Sequence, residues 1–161
     1  MRKYAAFLAA ALVLSSSMMV MAGATATQTV TYAVTAINEL SVSGDPAILN
    51  VSTATPGSAP ITVTTASTSY AVTTNLAGSK ITGAIDSAMP SGVTLAVTLD
   101  QPTGGISAGT VTLTDNPQDL VTAITRLNET GKAITFALSA ESHAGVVASA
   151  TKFVTLTISA P

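Results

Sequence analysis

The chain contains no cysteine and no tryptophan. Without cysteine there can be no disulfide, no thiolate chemistry, no thiolate-bound structural zinc and no lipid-bearing N-terminal cysteine. Charge is nearly as scarce, at 9% of the 161 residues, and aromatic residues make up only 4%. No basic patch is available to neutralise a phosphate backbone, which argues against nucleic acid as a partner. Few Lys, Glu, Gln or Arg residues remain to clothe exposed helix faces. Long apolar runs are missing as well. The only candidate, Ala5 to Leu14 (AAFLAAALVL), is cut off by Ser15, Ser16 and Ser17, well short of the ~20 residues a membrane span needs.

What the chain does have is threonine, 27 residues of it. A β-branched hydroxyl residue suits a pleated sheet and disfavours a helical turn. The surface is therefore wetted by hydroxyls rather than by ion pairs. The clearest stretch is Val93 to Leu99 (VTLAVTL), where Val93, Leu95, Val97 and Leu99 share one side and Thr94, Ala96 and Thr98 the other. That two-residue period is the mark of a half-buried strand.

Taken in order, Met1 to Ala24 reads as a secretory signal peptide. Arg2 and Lys3 form its basic start, the apolar run its middle, and VMAGATA a small-residue exit with cleavage after Ala22, Ala24 or Ala26. Removing Arg2 and Lys3 from six basic residues leaves four against eight acidic ones, a formal charge of −4. Residues 25–161 are expected to form one domain, secreted and without stable membrane insertion.

Alternation starts at Thr27 to Val34 (TQTVTYAV), with Val30, Tyr32 and Val34 on one face. The phase slips near Ala36 to Glu39, as a bulge would make it do. Further strands are expected at Ala47–Val51, Ile61–Thr65, Ser69–Thr74, Lys80–Ile85, Val93–Leu99, Thr110–Thr114, Leu120–Leu127, Ala133–Ala140 and Phe153–Ser159. Turns are expected at Gly44-Asp45-Pro46, Asn75 to Lys80 and Asn128 to Gly131, with a short strand at Gly145 to Val147. Nine or ten short strands argue an all-β fold: a two-sheet antiparallel β-sandwich of immunoglobulin-like or Greek-key type. A membrane barrel would want longer strands and girdles of aromatic residues.

Three patterns look chemical. Gly105-Ile106-Ser107-Ala108-Gly109 spells the nucleophile pattern G-x-S-x-G, which works only where a strand turns sharply into a helix. Here a strand is expected to follow, and His143 is the only available base. Ser149-Ala150-Thr151-Lys152 spells S-x-x-K, but the companion motifs of penicillin-recognising enzymes are missing. Asp115, Asn116 and Asp119 are oxygen ligands of the kind calcium takes, without the EF-hand spacing. The expectation is no catalytic residue, no cofactor and no dedicated metal site. The four rings left after the leader, Tyr32, Tyr70, Phe136 and Phe153, fall at inward strand positions. Stacking platforms for sugars are then lacking.

The alternating TQTVTYAV, the Gly145-Val146-Val147 segment and the closing FVTLTIS resemble the secreted, threonine-rich β-sandwiches of bacterial cell surfaces, such as fimbrial subunits and WxL-like proteins. The resemblance implies a structural or adhesive role and carries no site residue with it. Sheet physics leads to the same place. Thr25 to Asn38 holds no charge, so the strand around Val30, Tyr32 and Val34 could complete its own sheet or add to a neighbour's. The expected partners are other copies of the chain or other surface proteins. A second reading is an extracellular binding module that takes a glycan or calcium through loops 101–109 and 115–119.

Overall fold

A computed structural model describes residues 25–44 and 47–161. The expected signal peptide at 1–24, and Asp45 and Pro46 of the first expected turn, lie outside the described residues. The chain divides into two units, Met1–Ala33 and Val34–Pro161. Among the described residues, every strand belongs to the second.

The all-β expectation holds. Among the described residues, seven strands form one antiparallel sheet: β1 (Asn38–Gly44), β2 (Val63–Ile85), β3 (Val93–Leu99), β4 (Ile106–Ser107), β5 (Val111–Thr112), β6 (Gln118–Ala140) and β7 (Val154–Ser159). The main path runs β1-β2-β6-β3-β5, while β4 pairs with β6 and β7 with β2. The only helical element among the described residues is a 3₁₀ turn at Ser142–Ala144. Strand β3 occupies the stretch the alternation marked, with Leu95, Val97 and Leu99 buried.

The expected count of nine or ten short strands is corrected. Strands β2 and β6 are 23 residues each and run straight through the expected turns at Asn75 to Lys80 and Asn128 to Gly131. The residues that would have reversed the chain make bulges instead. Between the pairs Tyr70↔Lys132 and Val72↔Glu129, β6 spends two residues, Thr130 and Gly131, opposite the single Ala71 of β2. Gly131 takes the extra step at φ +69°, a left-handed conformation that glycine adopts without a steric penalty. Strand length therefore does not distinguish this sheet from a barrel, and that part of the earlier expectation falls.

The irregular middles of β2 and β6 divide the sheet into two halves. In one, β1 pairs with Thr68–Thr74 of β2, and β3 with Ile134–Ala140 of β6. In the other, β7 pairs with Lys80–Ile85 of β2, and β4 with Val121–Thr122 of β6. The sheet then returns on itself. Beyond β5, the Leu113 N–H donates to the Leu95 carbonyl and the Ile85 N–H donates to the Thr114 carbonyl, both at 2.9 Å. One edge of the first half is thereby tied to the far end of β2. A single apolar cluster draws on both halves: Tyr70 and Val72 from the start of β2, Ile81 and Ile85 from its end, and Leu120, Ile124 and Ile134 from β6.

Several smaller expectations also change. Ala47–Val51 forms no strand, and Gly145–Val147 is irregular with Val146 fully exposed. Residues 25–37 carry no strand, and Val30, Tyr32 and Val34 are 75%, 88% and 81% exposed. Their alternation is real, but it has no ladder partner among the described residues. Phe153 is exposed too, so only Tyr70 among the four rings is deeply buried, with Phe136 partly covered.

Candidate functional site

A polar arrangement lies where the loop after β3 meets the β2–β6 ladder. Antiparallel partners point to the same face, so Glu129 and Lys132 share the side of Val72 and Tyr70. In a regular strand, two residues three apart would face opposite ways. The extra residue at Thr130-Gly131 brings them round to the same face. Glu129 Oε2 and Lys132 Nζ then sit 2.8 Å apart, both largely covered.

This pair holds the loop Asp100–Gly105 in place. The Thr103 N–H donates to Glu129 Oε1 at 3.0 Å, the Asp100 N–H donates to the Ala133 carbonyl at 3.0 Å, and the buried Tyr70 hydroxyl donates to the Asp100 carbonyl. Pro102 is buried beneath a turn closed by the Gly105 N–H and the Pro102 carbonyl at 2.9 Å. A Cβ on residue 105 would come within 2.9 Å of the Pro102 ring. Glycine at 105 thus answers a close approach within the turn.

The electrostatics of this corner fit an anchor better than a catalyst. The Lys132 hydrogen bond, followed by those from Thr103, lowers the Glu129 carboxyl from 4.5 to about 2. A carboxylate so firmly ionised is a weak base at neutral pH. Burial, then the charges of Asp100 and Glu129, push the Tyr70 hydroxyl up to about 12. It stays a hydrogen-bond donor throughout the physiological range.

The lowered Glu129 value gives a pH prediction. A carboxyl with a depressed folded value contributes stability above its unfolded value, and loses that contribution as pH falls through the folded one. Thermal melting should therefore show Glu129 support present above pH 4.5 and disappearing toward about pH 2. Glu129→Gln should melt lower at neutral pH and should narrow its gap to the parent across that window. An unchanged gap from neutral to acid pH would mean that Glu129 anchors nothing.

The motif residues are not brought together. Ser107 lies in β4, where its Oγ donates to the Leu99 carbonyl at 2.7 Å and accepts from the Gly109 N–H at 3.2 Å. His143 Nδ1 lies 3.0 Å from Glu141 on an exposed turn. No helix follows Ser107, so the elbow that would lift it above the sheet is missing. Lys152 Nζ donates to Ser87 Oγ at 2.7 Å and to the Ala88 carbonyl at 3.0 Å, pinning the approach to β7.

The loop before β6 spends its oxygens on itself. Thr114 Oγ1 accepts from the Asn116 N–H and from Gln118 Nε2, at 3.2 and 3.1 Å, and Asn116 Nδ2 donates to Asp115 Oδ1 at 3.1 Å. Asp119 lies in β6 and pairs with Lys80 of β2 at 2.8 Å. Among the described residues, no three His, Asp or Glu side chains gather as a metal site would require.

Sequence reasoning missed the Tyr70–Asp100 and Glu129–Lys132 anchor, because it placed Asn128 to Gly131 in a hairpin tip. The one available signal was Glu129 and Lys132 flanking Gly131, an ion pair that only a bulge can face the same way.

No family model, curated protein or solved structure matches the chain. The sheet and its side chains must therefore carry the functional argument unaided.

Proposed function

We propose that this chain is a secreted, non-enzymatic structural or adhesive protein of the bacterial cell surface, its bent sheet forming the two layers of an antiparallel β-sandwich. The observation that carries the reading is an uncharged, alternating segment that offers Val30, Tyr32 and Val34 to solvent. Contiguous apolar exposure of this kind marks an interaction surface. The polar groups that might have done chemistry support the same view. Glu129, Asp119, Ser107 and Lys152 are all engaged in holding loops or strand ends.

The interior adds weight to the sandwich over a barrel in a membrane. Outer-membrane barrels face their apolar side chains outward and keep a polar lumen. Here Tyr70, Ile81, Leu99, Leu120, Ile124 and Ile134 turn inward and are almost wholly buried. No described helix is long and apolar enough to cross a membrane.

Expression of the full chain in a bacterial host with an intact secretion pathway tests the reading. Mass spectrometry of the product should find an N-terminus at Gly23, Thr25 or Thr27, outside the cytoplasm. An uncleaved product retained in the cytoplasm would overturn it.

A further inference from the structure

We infer that the outer edge of β7 is a homodimer interface, where β7 of a second copy lies antiparallel across a two-fold axis at Leu156. The inference uses only strands of the unit Val34–Pro161. It stands beside the surface-protein reading and does not rest on it.

The backbone around β7 identifies which of its groups face outward. The Asp86 N–H donates to the Phe153 carbonyl at 3.1 Å, so residues 86 and 153 are a hydrogen-bonded pair of the β2–β7 ladder. Such pairs alternate with non-bonded ones along an antiparallel ladder. Ile85 fixes the same phase, since its N–H turns away from β7 and donates to the Thr114 carbonyl at 2.9 Å. Thr155, Thr157 and Ser159 therefore bond to β2, while Val154, Leu156 and Ile158 direct their N–H and C=O groups outward. Among the described residues, β7 pairs with β2 alone. Charge, proline or a bulge ordinarily blunts such an edge. Val154–Ser159 (VTLTIS) has neither charge nor proline, and its register against β2 is unbroken.

The way the strand reads backwards specifies its occupant. Val-Thr-Leu-Thr-Ile keeps its alternation, and closely similar side chains, in either direction about Leu156. A second copy turned end for end sets Val154 opposite Ile158, Leu156 opposite Leu156 and Ile158 opposite Val154. Both members of each pair point their main-chain groups at one another, so each pair closes both of its hydrogen bonds. This register alone matches the outward residues of β7 with themselves. The side chains agree with the backbone. Val154, Leu156 and Ile158 pack on the core yet remain partly uncovered, and the same residues of the second copy continue that apolar layer. On the other face the exposed Thr155 and Thr157 become cross-strand hydroxyl pairs.

Charge is compatible with the same arrangement. Lys152 is tied to Ser87 and the Ala88 carbonyl, and the register sets it opposite Ala160, so the two lysines lie at opposite ends of the ladder. Strand β1, the other long edge, offers no such match. Turned about Ser41, it would set Glu39 against Ser43 and Asn38 against Gly44. Because β7 meets the same surface of its partner, the contact is self-complementary and closes as a dimer.

Sedimentation equilibrium of the purified protein from micromolar to millimolar concentration should show monomer and dimer, with no larger species. Thr155→Lys/Thr157→Lys changes two exposed side chains and sets like charges directly opposite each other in the dimer alone. It should raise the dissociation constant about tenfold or more. Thr155→Glu/Thr157→Glu should dimerise as poorly by itself, and mixing the two variants should restore a mixed dimer at least as tight as the parent's. The chain has no cysteine of its own. Oxidising Thr155→Cys with Thr157→Cys chains should therefore cross-link them in several-fold excess over Thr155→Cys with Ser41→Cys on β1. A monomer throughout the range, growth beyond the dimer, association unchanged in the lysine variant, or mixing that restores nothing would each overturn the inference. Equal cross-linking to β1 would do the same.

Discussion

Leu95→Asp will leave the chain without a cooperative folding transition, while Thr94→Asp, one residue earlier, will still melt cooperatively within a few degrees of the parent. Leu95 is 8% exposed and sits opposite Leu138 in the β3–β6 ladder. Its carbonyl receives the Leu113 N–H that helps tie β3 to the far end of β2. An unpaired carboxylate there costs several kcal/mol, a large part of the ~5–15 kcal/mol that holds a domain of this size together. Thr94 lies across from Ser139 on the other face and is only partly covered. Circular dichroism melts of the two variants decide the matter. Equal behaviour would mean that the facing of β3 is wrong.

Tyr70→Ala should cost about 3–5 kcal/mol in urea unfolding, the range for emptying an aromatic site in a packed core. Tyr70→Phe should cost about 1 kcal/mol, the net worth of one hydrogen bond. The gap between the two separates ring from hydroxyl. The ring is 1% exposed and joins the first half of the sheet to the shared core. The hydroxyl holds the Asp100 carbonyl and with it the loop over Pro102. If Phe and Ala proved equally damaging, the ring would contribute nothing beyond its oxygen. If Phe were silent, the loop would be held by Glu129 and the Asp100–Ala133 backbone bond without help from the hydroxyl.

Much of the sheet was legible because alternation is a local property. It gave β3 to the residue and placed β7 within a residue, and the strands expected at Leu120–Leu127 and Ala133–Ala140 carry the buried Leu120, Ile124 and Ile134. The strand expected at Leu120 to Leu127 is also present, as part of β6. Whether a strand reverses or continues is not local. Asn128-Glu129-Thr130-Gly131 has the composition of a hairpin tip, and only the partner strand turns it into a bulge. The same limit applies to Tyr32, which sits in an alternating run yet is exposed, because period reveals that a face exists and not what covers it. Phe153, by contrast, is one residue out of step with Val154, Leu156 and Ile158, which pack on the core, and so faces outward. The anchor at Glu129 was hidden for the same reason: its geometry is a product of the bulge.

Strands β2 and β6 each serve both halves of the sheet, and this shapes how the molecule would bear a pull. In a pair of separately built layers, tension applied to one reaches the other through side-chain contacts, which slide. Here it travels along two unbroken covalent backbones. Neither half can be peeled away while the other keeps its shape, so mechanical failure should come as one event rather than in stages.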